Sequence, residues 1–183
     1  WKDRSVCVLF GDGAGAVVLK AVDNNTEDVT GALVGHERGI IDSNIYNDGT
    51  GASVLTGGRR FSDSCSTDIF IHMDGQEVFK FAVKSVPTAI ETLLHNNNMD
   101  INDVDKFILH QANVRIIESV AKRLKADKDK FPVNLNEYGN TSSASIPILL
   151  DELNRNGSLK QGEKLVLAGF GAGLSWGSIL LVW

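Results

Sequence analysis

The chain has 183 residues, a net charge of −5 and an apolar fraction of 43%. That is enough chain for one layered core, and the acidic balance argues against general nucleic-acid binding while leaving room for a local basic face. No apolar run approaches the length of a membrane span, no signal peptide is visible, and Cys7 and Cys65 show no metal spacing and are too few for a disulfide framework, so a reducing cytoplasm is the expected compartment.

The chain begins at Trp1 and enters an apolar run almost at once, which reads as a piece of a longer protein. Residues 5–10 have a strand pattern, followed by Gly11, Gly13, Gly15 and Ala16, then a second strand pattern over 17–22. The glycines fit the spacing of a dinucleotide fingerprint, but that motif needs a helix next. Val17, Val18 and Val22 favour β structure instead, so the expectation is two strands around a glycine turn. Residues 30–35 read as a further strand. Residues 39–68, rich in Gly, Ser, Asn and Asp, read as a long excursion of the functional or partner-facing kind, and 69–72 as a short strand.

A helix is expected from Asp74 or Gly75 towards Asn97, with Phe79, Ala82, Val83, Val86, Ile90, Leu93 and Leu94 as its apolar stripe. Pro87 either kinks it or sits in the first turn of a second helix. Asp100 to Asp105 is a turn or short helix without the Gly and distal Glu of a calcium loop. Phe107 to Leu109 reads as a buried strand ending at His110. From Asn113 the period becomes helical, with Val114, Ile117, Ala121 and Leu124 on one face. A polar turn at 126–130, a short strand at 132–135, a helix carrying Ile146, Leu149, Leu150 and Leu153 up to Gly157, and strands at 164–169 and 175–183 complete the chain. The sum is one α/β layer set with a mixed sheet and no internal repeat.

His110 therefore sits where a strand stops and a helix begins, which is where ligands collect in α/β sheets. The positive end of the helix favours a neutral imidazole, and a neutral imidazole can donate a hydrogen bond to a developing oxyanion. The competing reading is a satisfied structural histidine. Asn140 precedes a helix in the same way. As an ordinary residue it belongs to an N-cap, with Thr141 or Ser142 as the cap itself; paired with a neutral His, its carboxamide completes a two-donor oxyanion site. The glycine turn at 169–173 either supplies backbone N–H groups to that site or is simply a tight hairpin.

His110-Gln-Ala-Asn113, Gly139-Asn-Thr-Ser142 and Gly169-Phe-Gly-Ala-Gly-Leu-Ser-Trp-Gly177, together with Phe10-Gly-Asp-Gly-Ala-Gly-Ala16 and Gly75-Gln-Glu-Val-Phe-Lys80, resemble the β-ketoacyl-acyl carrier protein synthase III family in order and spacing. The resemblance implies a thiolase-like α/β fold: one αβα half with a mixed five-stranded sheet, normally stacked on a second similar half. Residues 1–22 would end the N-terminal half and 23–183 would form the C-terminal domain. Of the family's Cys-His-Asn triad, His110 and Asn140 match two members. The nucleophilic Cys would lie in the N-terminal half, since neither Cys7 nor Cys65 has a matching context.

The same resemblance implies a backbone donor at Ala172, a packing and gating ring at Phe170, pantetheine contacts from Gly75 and Asn113, and an acyl carrier protein face of Lys80, Arg115, Lys122 and Arg123, whose plainer reading is a solvated helix surface. It implies no metal and no cofactor beyond the CoA and phosphopantetheine thioesters consumed as substrates. The expected partners are acyl-CoA, malonyl-acyl carrier protein, the N-terminal half and a second copy in a homodimer, with neither nucleic acid nor membrane. The alternatives are an inactive structural fragment or a related condensing enzyme of the polyketide, alkylquinolone or hydroxymethylglutaryl-CoA type. The primer, acetyl or branched, is not legible.

Overall fold

The computed structural model describes residues 4, 6–21, 26–27, 33–34, 38–57 and 70–183. In chain order these form β1 (Thr26–Glu27) and β2 (Leu33–Val34), an antiparallel pair; β3 (Gly39–Asn47); a 3-10 turn at Gly49–Gly51; and the antiparallel pair β4 (Leu55–Gly57) and β5 (Ile71–Met73). Then come α1 (Gly75–Asn96), β6 (Lys106–Leu109), α2 (Val114–Leu124), α3 (Leu135–Tyr138), α4 (Ser145–Arg155), β7 (Lys164–Gly171) and β8 (Ser175–Val182).

The main sheet has the order β3-β8-β7-β6. β6 and β7 are parallel, whereas β7–β8 and β3–β8 are antiparallel. The mixed sheet is as expected, but among the described residues it has four strands rather than five. Side chains alternate across it with the period of two that strands impose. Phe107, Leu109, Val166, Ala168 and Leu180 face α1 and α2 in one core. Ile108 and Leu165 face Leu149, Leu150 and Leu153 of α4 in another. Both faces of β6 and β7 are thus covered, which is why their sequences are continuously apolar.

Local chemistry explains the helix ends. Asp74 caps α1, its carboxylate accepting from Gln76 and Glu77 N–H. Pro87 lies inside this one continuous helix, so it does not open a second. Asn113 caps α2 by accepting from Arg115 N–H at 2.9 Å. Lys125 closes α2 in the left-handed conformation, and Gly157 (φ +74) follows α4.

Several expectations need correction. Residues 6–9 form a turn, with Phe10 in an isolated parallel bridge to Asn140, and 11–21 have no regular structure. Val17, Val18 and Leu19 are exposed: a strand needs a neighbouring strand, and none among the described residues runs beside them. Ser5 and Val22 lie outside the described residues, as do Thr30, Gly35, Ile69 and the part of the loop at 58–68, Cys65 included.

The larger error concerns 39–47, read as loop, which is the nine-residue edge strand β3. Its half-buried positions are Asp42, Asn44 and Tyr46, so the inward face is polar and defeats a hydrophobic-period reading. Each inward group is satisfied. Asn44 donates to Ala89 O and accepts from Ser178 N–H and hydroxyl, Asp42 accepts from Asn97, and Tyr46 stacks on Trp176. The expected strand at 132–135 is absent too. The buried Asn134 gives its N–H to the Gln111 side chain at 3.2 Å instead of a ladder, and a single helical turn, α3, follows.

Candidate active site

β6 ends by passing His110 N–H to Ala168 O at 2.9 Å, one step beyond the β6–β7 ladder. The imidazole therefore emerges at the carboxyl end of β6, which pairs with β7 alone among the described strands. It lines a cavity of about 720 Å³ whose wall also holds Asn140, Phe170, Ala172, Gly75 and Asn113. Six of the ten residues singled out from the sequence thus meet at one place. Lys80, Arg115, Lys122 and Arg123 are not part of this wall.

His110 Nδ1 lies 2.7 Å from Ser145 Oγ, at the first residue of α4. Burial holds the imidazole pKa down at about 4, so the ring is neutral at pH 7. Desolvation is the cause. The Phe170 ring meets the imidazole edge to face at 5.3 Å between centroids. Phe170 in turn touches Phe81, and Phe81 touches Trp176, which lines the same cavity from β8.

Asn140 is held from both sides of its backbone. Its N–H donates to Leu9 O at 2.9 Å, and its carbonyl accepts from Gly11 N–H at 3.0 Å. Its carboxamide oxygen accepts from Ser142 N–H at 2.9 Å. Because that partner is a donor, the oxygen is fixed there and the Nδ2 amine is left for the cavity. Neither Thr141 nor Ser142 makes the side-chain cap expected of one of them. Gly139, at φ +67 and ψ −163, turns the chain into this position in a region open essentially to glycine. The site thus presents a neutral imidazole and a carboxamide amine, two uncharged donors around one space, a set suited to holding negative charge that develops on an oxygen.

Asn113 spends its carboxamide oxygen on capping α2, and Gly75 opens α1 at the rim. The exposed Arg115 and Lys122 are seven residues apart on α2 and so share a meridian; Arg123 lies on the adjoining face. Lys80 is exposed but bridged to Glu77 at 2.7 Å. Cys7 is a free thiol in the 6–9 turn and is not in the cavity wall. Among the described residues no cluster of side chains has the make-up of a metal site, and no helix is long and apolar enough to cross a membrane.

Three contributors escaped the sequence reading. Ser145 stood one residue before the expected helix start, and a hydroxyl leading an apolar helical run was the available signal. Phe81 carried none, since it lies off the stripe read for α1. The packing of 9–11 on Asn140 was signalled only by the glycine run, which allows a close backbone approach without naming its partner.

Comparisons with known proteins place the chain beside one family. The family model described as 3-Oxoacyl-[acyl-carrier-protein (ACP)] synthase III C terminal matches residues 94–183, and that of 3-Oxoacyl-[acyl-carrier-protein (ACP)] synthase III matches residues 1–49. The chain is 44% identical to the Beta-ketoacyl-[acyl-carrier-protein] synthase III of Clostridium acetobutylicum, over all of this chain and 54% of that protein. It is also 44% identical to the protein of that name from Ehrlichia ruminantium, over 99% of this chain and 53% of the other. The crystal structure of 3-oxoacyl-[acyl-carrier-protein] synthase III from Aquifex aeolicus superposes with a TM-score of 0.83 at 38% identity, covering 99% of this chain and 52% of that one. The thiolase-like α/β class holds. The chain spans about half the length of the curated relatives it matches.

Proposed function

The chain belongs to the 3-oxoacyl-[acyl-carrier-protein] synthase III family, and on that premise we propose that it forms the His- and Asn-bearing half of a decarboxylating condensing enzyme that starts fatty acid synthesis. In this reading residues 1–22 close the N-terminal half, 23–183 form the C-terminal domain, and the nucleophilic cysteine is carried by the N-terminal half. The whole acts in the cytoplasm as a homodimer.

A cysteine thiolate attacks the thioester carbonyl of an acyl-CoA of the acetyl type; the acyl-cysteine bond forms as the carbon–sulfur bond to CoA breaks, and CoA leaves as its thiolate. Malonyl-acyl carrier protein then binds with its thioester carbonyl between His110 and Asn140. The carbon–carbon bond to the carboxylate breaks, carbon dioxide leaves, and the electron pair moves into the thioester as an enolate. His110 Nε2–H and Asn140 Nδ2–H donate to the enolate oxygen, each worth about 10²–10³ in rate. The enolate carbon attacks the acyl-cysteine carbonyl, and Ala172 N–H with the cysteine N–H holds the resulting oxyanion. The carbon–sulfur bond breaks to release thiolate and 3-oxoacyl-acyl carrier protein. Phe170, packed on His110, walls the reacting centre against water. Gly75 and Asn113 border the pantetheine path, and Lys80, Arg115, Lys122 and Arg123 receive the acidic carrier. Every step uses thioester substrates alone, with no metal and no resident cofactor.

The observation that supports this most is the convergence of a neutral His110 with an Asn140 whose oxygen is already occupied. The test joins this chain to the nucleophile-bearing half of a family member and measures carbon dioxide release from malonyl-acyl carrier protein. Release should drop by about 10²–10³ in His110→Ala and in Asn140→Ala; rates equal to the parent in both variants would overturn the proposal.

A further inference from the structure

A neutral imidazole can donate into the cavity from Nε2 only if its single proton sits there rather than on Nδ1. The neighbourhood of Nδ1 settles which nitrogen that is. We propose that Ser145 is a positioning residue for His110: its hydroxyl donates to Nδ1 and thereby keeps the ring proton on Nε2.

Ser145 is 2% exposed, so its hydroxyl hydrogen must find an acceptor inside the protein. Its oxygen has two neighbours within bonding distance. The first is the backbone N–H of Gln111 at 3.2 Å, which can only donate. The second is His110 Nδ1 at 2.7 Å. With Gln111 as donor to the oxygen, Nδ1 is the acceptor left for the hydroxyl hydrogen. The opposite arrangement, with Nδ1–H donating to Ser145, would give the oxygen two donors and strand a buried hydroxyl hydrogen. The bias towards the Nε2–H form is about 5- to 150-fold.

Gln111 is itself fixed, which fixes the direction of its N–H. Its side chain is 1% exposed. It donates to Leu109 O at 2.8 Å and accepts from Asn134 N–H at 3.2 Å. Asn134 donates onward to Glu152 of α4 at 2.8 Å. The end of β6 is therefore tied to the first residue of α4 through His110 and Ser145, and to its second half through Gln111, Asn134 and Glu152. Ser145 has no place in the reaction steps above and touches no reacting atom; it acts through His110.

The inference deepens the reading of His110 as an oxyanion donor, but the tautomer is a property of the fold and is measured without turnover. The experiment is nitrogen-15 NMR of the labelled chain at pH 7, with the His110 ring assigned against His110→Ala. The expected spectrum has a single neutral tautomer, with proton on Nε2 and an Nδ1 resonance displaced by an accepted hydrogen bond. In Ser145→Ala that displacement disappears and the Nδ1–H form becomes detectable; Ser145→Thr, which keeps the hydroxyl, restores the parent pattern. A parent ring protonated on Nδ1 overturns the proposal without recourse to any variant, as does a Ser145→Ala spectrum with Nδ1 unmoved. A ring protonated on Nε2 in an assembled enzyme that releases no carbon dioxide would instead count against the proposed function and leave this inference standing.

Discussion

Gly11 gives its N–H to the carbonyl of Asn140 at 3.0 Å, at a point where a Cβ on Gly11 would run into the Tyr138 carbonyl oxygen. The glycine is there because two backbones come together, and that approach holds the donor residue in the cavity wall. Gly11→Ala is expected to push 9–11 away from 138–140 and to cost about 1–3 kcal/mol, the range for forced overpacking. Gly57→Ala, where nothing stands within 4 Å of the added methyl, is the control and should stay within about 0.5 kcal/mol. Urea midpoints of the two variants check this; equal midpoints would show that the contact does not bear on stability.

Burial holds the His110 pKa near 4, against an ordinary value near 6.5. Between these two values the unfolded chain binds a proton that the folded chain refuses, so stability falls as pH drops through that window. The contribution is fully present above about pH 6.5 and lost by about pH 4, with a ceiling of about 3 kcal/mol. Urea titrations across that range should show the parent losing more stability than His110→Gln. A parent and variant that run parallel would place the imidazole in water.

Asn140→Asp retains an oxygen for Ser142 N–H and replaces the cavity-facing amine with a second acceptor. Folding should lose about 1–3 kcal/mol, because the Leu9, Gly11 and Ser142 contacts survive while a carboxylate enters a site where Asn140 is buried. Decarboxylation in the joined enzyme should fall by about 10²–10³. The comparison to make is carbon dioxide release by the folded variant, and release equal to the parent would deny the amide N–H its role.

Asn44 joins three partners across the sheet edge: Ala89 O at 2.8 Å, Ser178 N–H at 3.0 Å and Ser178 hydroxyl at 2.7 Å. Asn44→Leu removes the acceptor of a buried serine and should cost about 2–3 kcal/mol despite adding apolar surface. The double variant with Ser178→Ala should recover part of that loss, since the buried hydroxyl no longer needs an acceptor, while Ser178 N–H and Ala89 O stay without their partner. Chemical denaturation of the singles and the double reads the coupling directly; no recovery would deny it.

Arg115 and Lys122 present two cations on one meridian of α2, whereas the charge of Lys80 is shared with Glu77 at 2.7 Å. Arg115→Glu and Lys122→Glu should therefore weaken carrier-protein binding in the joined enzyme more than Lys80→Glu does, and the difference should shrink with added salt. Calorimetric titration at two ionic strengths tests the order, which a larger effect at Lys80 would reverse.

The amino-acid sequence by itself determined the helices α1, α2 and α4, the buried strands β6 and β7, and the positions of His110, Asn140 and the turn carrying Phe170 and Ala172. These are readable because a buried face repeats at the period of its own element, and because strand-to-helix junctions mark themselves with a change of period. Tertiary structure alone decided that 39–47 is a strand, since Asp42 and Asn44 are tolerable inside only when Asn97, Ala89 and Ser178 arrive from elsewhere to satisfy them. It also decided that residues 9–11 clamp Asn140, and that Ser145 meets His110 across 35 positions of chain. A hydrogen bond between distant residues leaves no period in either segment, so the proton on the His110 ring is set by a partner that local pattern cannot reveal.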